Sequence, residues 1–333
     1  MVKLKFGIIG AGLMGRRRAE SLISFPDVEL VSVADVDESK AKKLSENYKC
    51  KFTKNYADIL KNKEINCIIV STVNNVLAKI SKEALENGKH VFVEKPVSVN
   101  TKDVEELIKI SESKKLVVKV GFNHRFFPHI QKAKELLNNG EIGDLMFLKA
   151  TYGQKSRIGF ENEWRVKKEI SGGGQLIDQG AHIIDLCRFF MGDIKEARGE
   201  ITRLFWDIEV DDNDFFILKN EKGNVAFVHT SSSLWENTFH LYLYGKKGII
   251  KISGIRSHYG NPKLTLLRRN EDKSRVEGVY QFDEESINFP NEDLSYVDEI
   301  GNFKRAISGK GKVEGNLHDA KEVLKIISSL YDK

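Results

Sequence analysis

The stretch LKFGIIGAGLMG, residues 4–15, decides how the first half of this chain folds. Residues 4–10 are a short apolar run of strand length, and the run ends in glycines at 10, 12 and 15, the GxGxxG spacing of a strand-to-helix turn. Gly10 permits the tight turn, Gly12 lets the backbone approach a pyrophosphate, and Gly15 lets the following helix pack close to the strand with its N-terminal amides toward phosphate. Leu13 and Met14, between the last two glycines, share that cofactor-facing turn. The spacing alone also suits a glycine turn in an α/β fold without a ligand. A second buried run, LVSVAD at residues 30–35, argues against that, because Asp35 stands 20 residues beyond Gly15, where an acid accepts ribose hydroxyls.

Asp35 also bears on the cofactor. A carboxylate there repels the 2'-phosphate of NADP, and the following DVDESK supplies no arginine, only Lys40. NAD is therefore expected, with NADP the alternative. The tripeptide Arg16–Arg18 falls in the first turn of the helix, where it suits either a phosphate or solvent.

Working outward, apolar runs at 65–71, 91–94 and 116–121 alternate with segments of helical spacing, which predicts a parallel sheet covered by helices on both sides. Ligands of such sheets bind beyond the carboxyl ends of the strands. That rule points to Ser71, Thr72 and Asn74, to Glu94-Lys95-Pro96, and to Asn123 and Arg125. Lys95 follows the apolar VFV and precedes a proline that restricts its backbone; beside a dinucleotide turn it reads as an active-site residue.

After Phe122 the rhythm changes. A helix at PHIQKAKELLNNG leads into long, partly alternating, β-branched and aromatic segments joined by turns such as NEKGN and GKKG. These predict a large, mostly antiparallel open sheet in an α+β domain. The expected division is 1–122 for dinucleotide binding and 123–333 for substrate binding and oligomerisation, with the C-terminal amphipathic helix packing back near the first domain. In FHLYLYG even the less apolar set, His240, Tyr242 and Tyr244, is aromatic, which suits a face that meets another subunit.

The stretch SGGGQLIDQGAHIIDLCRFFMG, residues 171–192, is apolar around most of a helix but places Asp178, His182 and Asp185 at i, i+4 and i+7 on one face. So narrow a polar stripe suits a cleft better than open solvent. Just before it, residues 155–168 carry Arg157 and Arg165 with Phe160 and Trp164, side chains suited to clamping a diphosphate and stacking on a sugar or base, or to a solvated loop.

Lysine plus arginine number 53 against 48 acids, a formal charge of +5, but the signs alternate finely and aromatics are not interleaved with basic clusters. No nucleic-acid groove or membrane-surface role is expected. Cys50, Cys67 and Cys187 are scattered, no HxxxH pair occurs, and His124, His129, Asp178, His182 and Asp185 are not spaced as metal ligands, so no metal is expected. The chain starts a strand almost at once and has no apolar run of membrane length, so a cytoplasmic protein is expected.

The order GAGLMG, Asp35, GKHVFVEKP, GFNHRF and GGGQLIDQGAHIIDL resembles the glucose-fructose oxidoreductase and inositol dehydrogenase (Gfo/Idh/MocA) family over nearly the whole chain. The resemblance implies an NAD(P)-dependent dehydrogenase of a cyclic sugar, polyol or nucleotide sugar, assembled as a homodimer or homotetramer. It also implies that Lys95, Asp178 and His182 surround the reacting carbon, with Asn123 and Arg125 retained toward substrate; Arg157, Trp164 and Arg165 lie in a polar-aromatic insertion that departs from the family's pattern and are available to a large or negatively charged substrate. Val73 and Leu77 stand where that family often has proline and histidine. In this reading His182, with an ordinary histidine pKa near ~6.5, is the general base and Lys95 stabilises the developing alkoxide. Asp178 orients substrate hydroxyls or the histidine. Two alternatives stay open: an NAD-retaining hydrolase or lyase that oxidises its substrate transiently, and a non-catalytic dinucleotide-binding protein.

Overall fold

The computed structural model describes residues 3–155, 157–272 and 279–332. The chain divides into two compact units. The first runs through Asn123 and regains Glu169–Gly172 and Leu294–Lys325; the second holds His124–Lys168, Gly173–Asp293 and the residues from Ile326 on. Residues 169–172 and 294–325 thus fall in the first unit, whereas a linear division at 122/123 assigns them to the second half.

In the first unit, strands β1 (Leu4–Ile9), β2 (Val28–Ala34), β3 (Lys51–Thr53), β4 (Cys67–Val70), β5 (His90–Val93) and β6 (Val118–Val120) form one parallel sheet in the order β3-β2-β1-β4-β5-β6. Helices α1 (Leu13–Leu22), α2 (Glu38–Tyr48), α3 (Tyr56–Lys61), α4 (Asn74–Glu86) and α5 (Thr101–Ser113) connect the strands. Strand β4, CIIV, is buried at every position because both faces of the sheet are covered, which is why it reads as an unbroken apolar run. The order reverses at β1, whose Ile9 pairs with Ala34 on one side and Val70 on the other. This is the doubly wound dinucleotide-binding arrangement, and the crevice at the reversal lies beyond Ile9 and Val70. The core includes Phe6, Ile8, Leu22, Ile69, Phe92, Ile300 and Phe303, with Phe303 edge-on to Phe6 and Phe92. Each such fully buried apolar side chain is worth about 1.5–3 kcal/mol.

The second unit contains α6 (Pro128–Asn138), β7 (Leu145–Lys155), the single turn α7 (Lys168–Ser171, shared with the first unit), α8 (Ala181–Met191) and strands β8 (Ile194–Thr202), β9 (Asn213–Asn220), β10 (Val225–Leu234), β11 (Thr238–Gly245), β12 (Gly248–Ser253), β13 (Lys263–Asn270) and β14 (Gln281–Asn288). The eight strands are ordered β14-β13-β12-β11-β7-β10-β9-β8, antiparallel throughout except for the parallel pair β7 and β10. Alternation sends Phe239, Leu241 and Leu243 inward and His240, Tyr242 and Tyr244 to the other face.

Three elements lie where the hydrophobic pattern pointed to none. Strand β3 is three residues long, β14 is a largely exposed edge strand rich in carboxylates, and α9 (Ser295–Ile307) belongs to the first unit, followed by α10 (Leu317–Tyr331). The 171–192 stretch is also not one continuous helix. A turn of π-helix at Leu176–Gly180 precedes α8.

Candidate functional site

The residues that the sequence pattern pointed to fall in two sets, one in each unit. In the first unit the glycine turn is built by close backbone contact. Gly10 has φ +100°, and a Cβ there would meet the Ser71 carbonyl oxygen at 2.4 Å; a Cβ on Gly15 would meet the Gly10 carbonyl oxygen at 1.9 Å. Both positions therefore need glycine for the fold. Gly12 differs, since a Cβ there meets nothing within 4 Å among the described residues. Internal packing does not demand glycine at that point, whereas the approach of a pyrophosphate to the start of α1 does. No side chain caps that helix.

Asp35 braces the turn. Its carboxylate accepts from the Ala11 amide at 2.7 Å and from the Asp37 amide at 2.9 Å, which places it at the end of β2 beside the glycines. A cleft of about 360 Å³ opens there, lined by Ala11, Gly12, Leu13, Arg16, Lys40, Lys43, Leu44 and Asn47. These features fit a dinucleotide: a glycine cradle, a helix N-terminus, an acid at the ribose position and a cleft with cations at its wall.

The residues beyond β4, β5 and β6 mostly hold the backbone. The Ser71 hydroxyl donates to the Gly10 carbonyl at 2.9 Å, tying β4 to the turn. Buried Asn74, expected to face cofactor, donates from its amide to the Ser171 carbonyl at 2.9 Å. Asn123, expected to face substrate, donates to the Ser295 hydroxyl at 3.0 Å. Glu94, also expected to face cofactor, accepts from the Arg18 guanidinium at 2.6 Å inside the protein. The cause is common to all three: polar groups at strand ends must find partners when buried, and here internal ones are at hand. Lys95 is half-buried and joins Pro96 through a cis peptide bond; Thr72 is likewise half-buried.

The three arginines after the glycines have three different settings. Arg16 lines the cleft, Arg17 donates to the Tyr296 hydroxyl at 2.8 Å, and Arg18 is completely buried. Burial opposes the Arg18 charge, but Glu94 and Glu299 outweigh it and raise the guanidinium pKa. Burial also pushes the Glu299 carboxyl up, against the pull of Arg18 and Lys119.

In the second unit the polar stripe grades from open to closed. Asp178, on the π-turn, is half-buried with Arg165 Nε 3.8 Å from its carboxylate. One turn on, the buried His182 ring lies flat against His124, with centroids 3.8 Å apart and planes at 20°. Asp185 is fully buried and grips Arg125 with both oxygens, at 2.5 and 2.7 Å. Arg125 also lies over the Phe189 ring. Arg125, expected to face substrate, forks its guanidinium onto Asp185 in the protein interior, the bidentate geometry arginine favours.

Tyr152 and Tyr259 have no part in the sequence pattern, and His124 enters it only among the side chains weighed as metal ligands. His124 packs on His182, Phe127, Tyr152 and Phe239, and the Tyr152 and Tyr259 rings lie 5.2 Å apart. Burial raises the Tyr259 phenol, with Arg256 and Tyr152 pulling the other way. The signal for His124 was its place between Asn123 and Arg125; nothing local identified Tyr259, which arrives from a 3-10 turn 77 positions beyond His182.

The glycines before the stripe are set by packing. A Cβ on Gly174 would lie 1.9 Å from the Asp211 carbonyl oxygen, and one on Gly173 would lie 2.3 Å from the Tyr331 hydroxyl. Asp211 accepts from the Gly174 amide at 2.9 Å, the Leu176 amide at 2.8 Å and the Tyr331 hydroxyl at 2.7 Å, and so fixes the entry to the helix. In the loop before them, Arg157 donates to Glu163 at 2.7 and 3.0 Å and lies over Phe160, while Arg165 lies over Trp164 and 3.6 Å from the same Glu163. One carboxylate thus faces both arginines. Among the described residues no three His, Cys, Asp or Glu side chains are grouped to hold a metal ion, and no helix is long and apolar enough to cross a membrane.

Comparison with known proteins joins the two units. Residues 4–122 match the model of an oxidoreductase family with an NAD-binding Rossmann fold, and residues 130–251 match the GFO/IDH/MocA C-terminal domain. The oxidoreductase YrbE of Bacillus subtilis (strain 168) is 29% identical over 249 residues, covering 73% of this chain and 71% of that protein. The myo-inositol 2-dehydrogenase of Thermotoga maritima is 26% identical over 262 residues, covering 76% of each. Levoglucosan dehydrogenase in complex with NADH and levoglucosan has the same fold, with a TM-score of 0.88 at 21% identity over 99% of this chain and 96% of the other.

Proposed function

Because the chain belongs to the GFO/IDH/MocA family of oxidoreductases, we propose that it oxidises, reversibly, a secondary alcohol of a cyclic polyol or sugar with NAD as acceptor. The observation that carries this reading is the pairing, in one chain, of a dinucleotide turn whose Gly12 is demanded by no internal contact with a helix that presents Asp178 and a stacked His182. Relatives named as dehydrogenases of myo-inositol and of trans-1,2-dihydrobenzene-1,2-diol support the polyol class.

Gly10, Gly12, Gly15 and the first turn of α1 would hold the pyrophosphate, and Asp35 the adenosine ribose. When bound, the nicotinamide supplies a two-electron hydride acceptor. The chain must supply the rest: a base for the hydroxyl proton and a charge for the oxygen. In this reading His182 takes the proton, and stacking on His124 fixes the plane in which its nitrogens can be approached. The Lys95 ammonium stabilises the developing alkoxide. Asp178 accepts a neighbouring substrate hydroxyl.

Substrate charge follows from Glu163. Arg157 and Arg165 already face this carboxylate, so a phosphate would have to displace it to gain their forks. A neutral polyol can instead accept from the outer guanidinium edges while the pairs stay intact. We therefore favour neutral polyols and sugars over nucleotide-linked ones.

The test is a screen of inositols, free aldoses and UDP-sugars for NADH formation by the purified protein. Turnover of a neutral cyclic polyol or sugar supports the proposal. Product formed without net reduction, from NAD that does not exchange, would favour the transient-oxidation alternative. Tight NAD binding with no conversion of any of these would favour a non-catalytic protein.

A further inference from the structure

Four ionisable side chains are buried together in the first unit, under the loop that bears Lys95. Arg18 of α1 contacts Glu94 at 2.6 Å through Nε and Glu299 of α9 at 2.6 Å through Nη1. Lys119 of β6 lies 3.6 Å from Glu299 and donates to the Glu314 carbonyl at 2.6 Å. Arg18, Lys119 and Glu299 have no solvent exposure, and Glu94 is 8% exposed. The guanidinium lies over two rings, its Cζ 4.1 Å from the centroid of Phe92 and 4.9 Å from that of Tyr296. Gly121 makes room, because a Cβ there would lie 2.6 Å from a Glu94 carboxylate oxygen.

Stability is a weak reason for such a cluster. Taking charges out of water is costly, and well-packed apolar residues usually serve a core as well. What the cluster does provide is a fixed place for Glu94. Its carboxylate is held by Arg18, and its backbone amide donates to the Val70 carbonyl at 3.0 Å. With both ends of residue 94 tied, the peptide that leads into Lys95 has little freedom.

We infer that Arg18 is a positioning residue for Lys95: it acts through Glu94, with Glu299 from the far end of the sequence holding the other side of its guanidinium. This rests on the reading that Lys95 stabilises an alkoxide, a role that needs the ammonium held close to one place, since a displacement of about 1 Å can cost on the order of 10²-fold in rate.

The experiment compares the parent with Glu94→Gln, Arg18→Lys, and the charge-balanced double variant Arg18→Met with Glu94→Gln. Three quantities are read: NADH affinity by fluorescence, kcat and KM on the polyol found by the screen, and the ¹³C NMR signal of Lys95 after reductive dimethylation, assigned with Lys95→Arg. NADH affinity should stay within about 3-fold, and kcat should fall about 10-fold or more with KM nearly constant. The Lys95 signal should move toward those of solvent lysines. Arg18→Lys should lie between parent and double variant. A Lys95 signal unchanged in folded Glu94→Gln and in the double variant overturns the inference. Glu94→Gln keeps the shape of the site and decides the matter alone if the double variant does not fold. If no polyol is turned over, the functional reading fails, yet the Lys95 signal still tests the positioning role.

Discussion

The imidazoles of His124 and His182 lie face to face, 3.8 Å between centroids, on segments 58 positions apart. The stack restrains rotation of His182 about its own side-chain bonds, which a base on an otherwise apolar helix needs. His182→Asn is expected to lower kcat by roughly 100-fold or more, the usual worth of a positioned base, with NADH affinity little changed. His124→Phe keeps a flat partner and should cost less than His124→Ala. Steady-state kinetics on the polyol substrate would check the order, and equal rates for His182→Asn and parent would remove His182 as the base.

His129 predicts a loss of stability in acid. It is buried in α6, neither ring nitrogen has a hydrogen-bond partner among the described residues, and burial lowers its pKa to about 4 from an ordinary 6.5. Below pH 6.5 the unfolded chain binds a proton that the folded chain refuses, so stability falls as pH drops from 6.5 toward 4. The contribution is on the order of 3 kcal/mol. His129→Phe should flatten this part of the curve in urea unfolding measured across that range; an unchanged slope would show that another group is responsible.

Asp214 predicts the opposite sign. Burial, followed by the charges of Asp211 and Asp212, pushes its carboxyl well above the usual range, and Thr230 donates to it at 2.7 Å. The folded chain keeps the proton that the unfolded chain gives up above about pH 4, so this stability is complete in acid and declines as pH rises. Asp214→Asn should gain on the parent in Tm from about pH 5 to pH 8. A constant difference over that interval would argue against a protonated Asp214.

Cofactor choice should turn on Asp35 and the cleft beside it. Asp35→Asn keeps an acceptor for the Ala11 amide while removing the charge that repels a 2'-phosphate, and Arg16, Lys40 and Lys43 are in reach of the cleft. The ratio of NADPH to NADH dissociation constants should fall by about 10-fold, the scale of one 1.4 kcal/mol interaction. Adding Lys43→Glu should reverse part of that gain. Fluorescence titration reads both, and an unmoved ratio would place the discrimination elsewhere.

The outer face of the second unit's sheet should meet a second copy of the chain. Stacked Phe147 and Tyr244, stacked Phe215 and His229, and half-exposed Phe227 make it aromatic across several strands. Phe227→Glu should reduce the mass found by light scattering without unfolding the chain. A parent that is monomeric at micromolar concentration would end this proposal.

What could be read from the sequence was whatever local geometry imposes. Gly10 and Gly15 are dictated by contacts with neighbouring backbone, unbroken apolar runs by a sheet covered on both faces, and the alternation in β11 by a sheet covered on one. The Asp178, His182 and Asp185 stripe is likewise a matter of helical period. Which member of a stripe stays chemical was decided only in three dimensions. Asp185 is claimed by Arg125 60 positions away, Glu94 by Arg18 76 positions away, and Arg18 by Glu299 281 positions away. A charged residue has the same one-dimensional signature whether it ends in solvent, in a cleft or in a buried pair, because its fate depends on which distant groups the fold desolvates beside it. For the same reason the sequence pattern offered only the C-terminal helix as packing back near the first domain, and not the segment 295–307, which also belongs to the first unit. The amphipathic face of α9 specifies that it must be buried, and only the assembled sheet specifies against what.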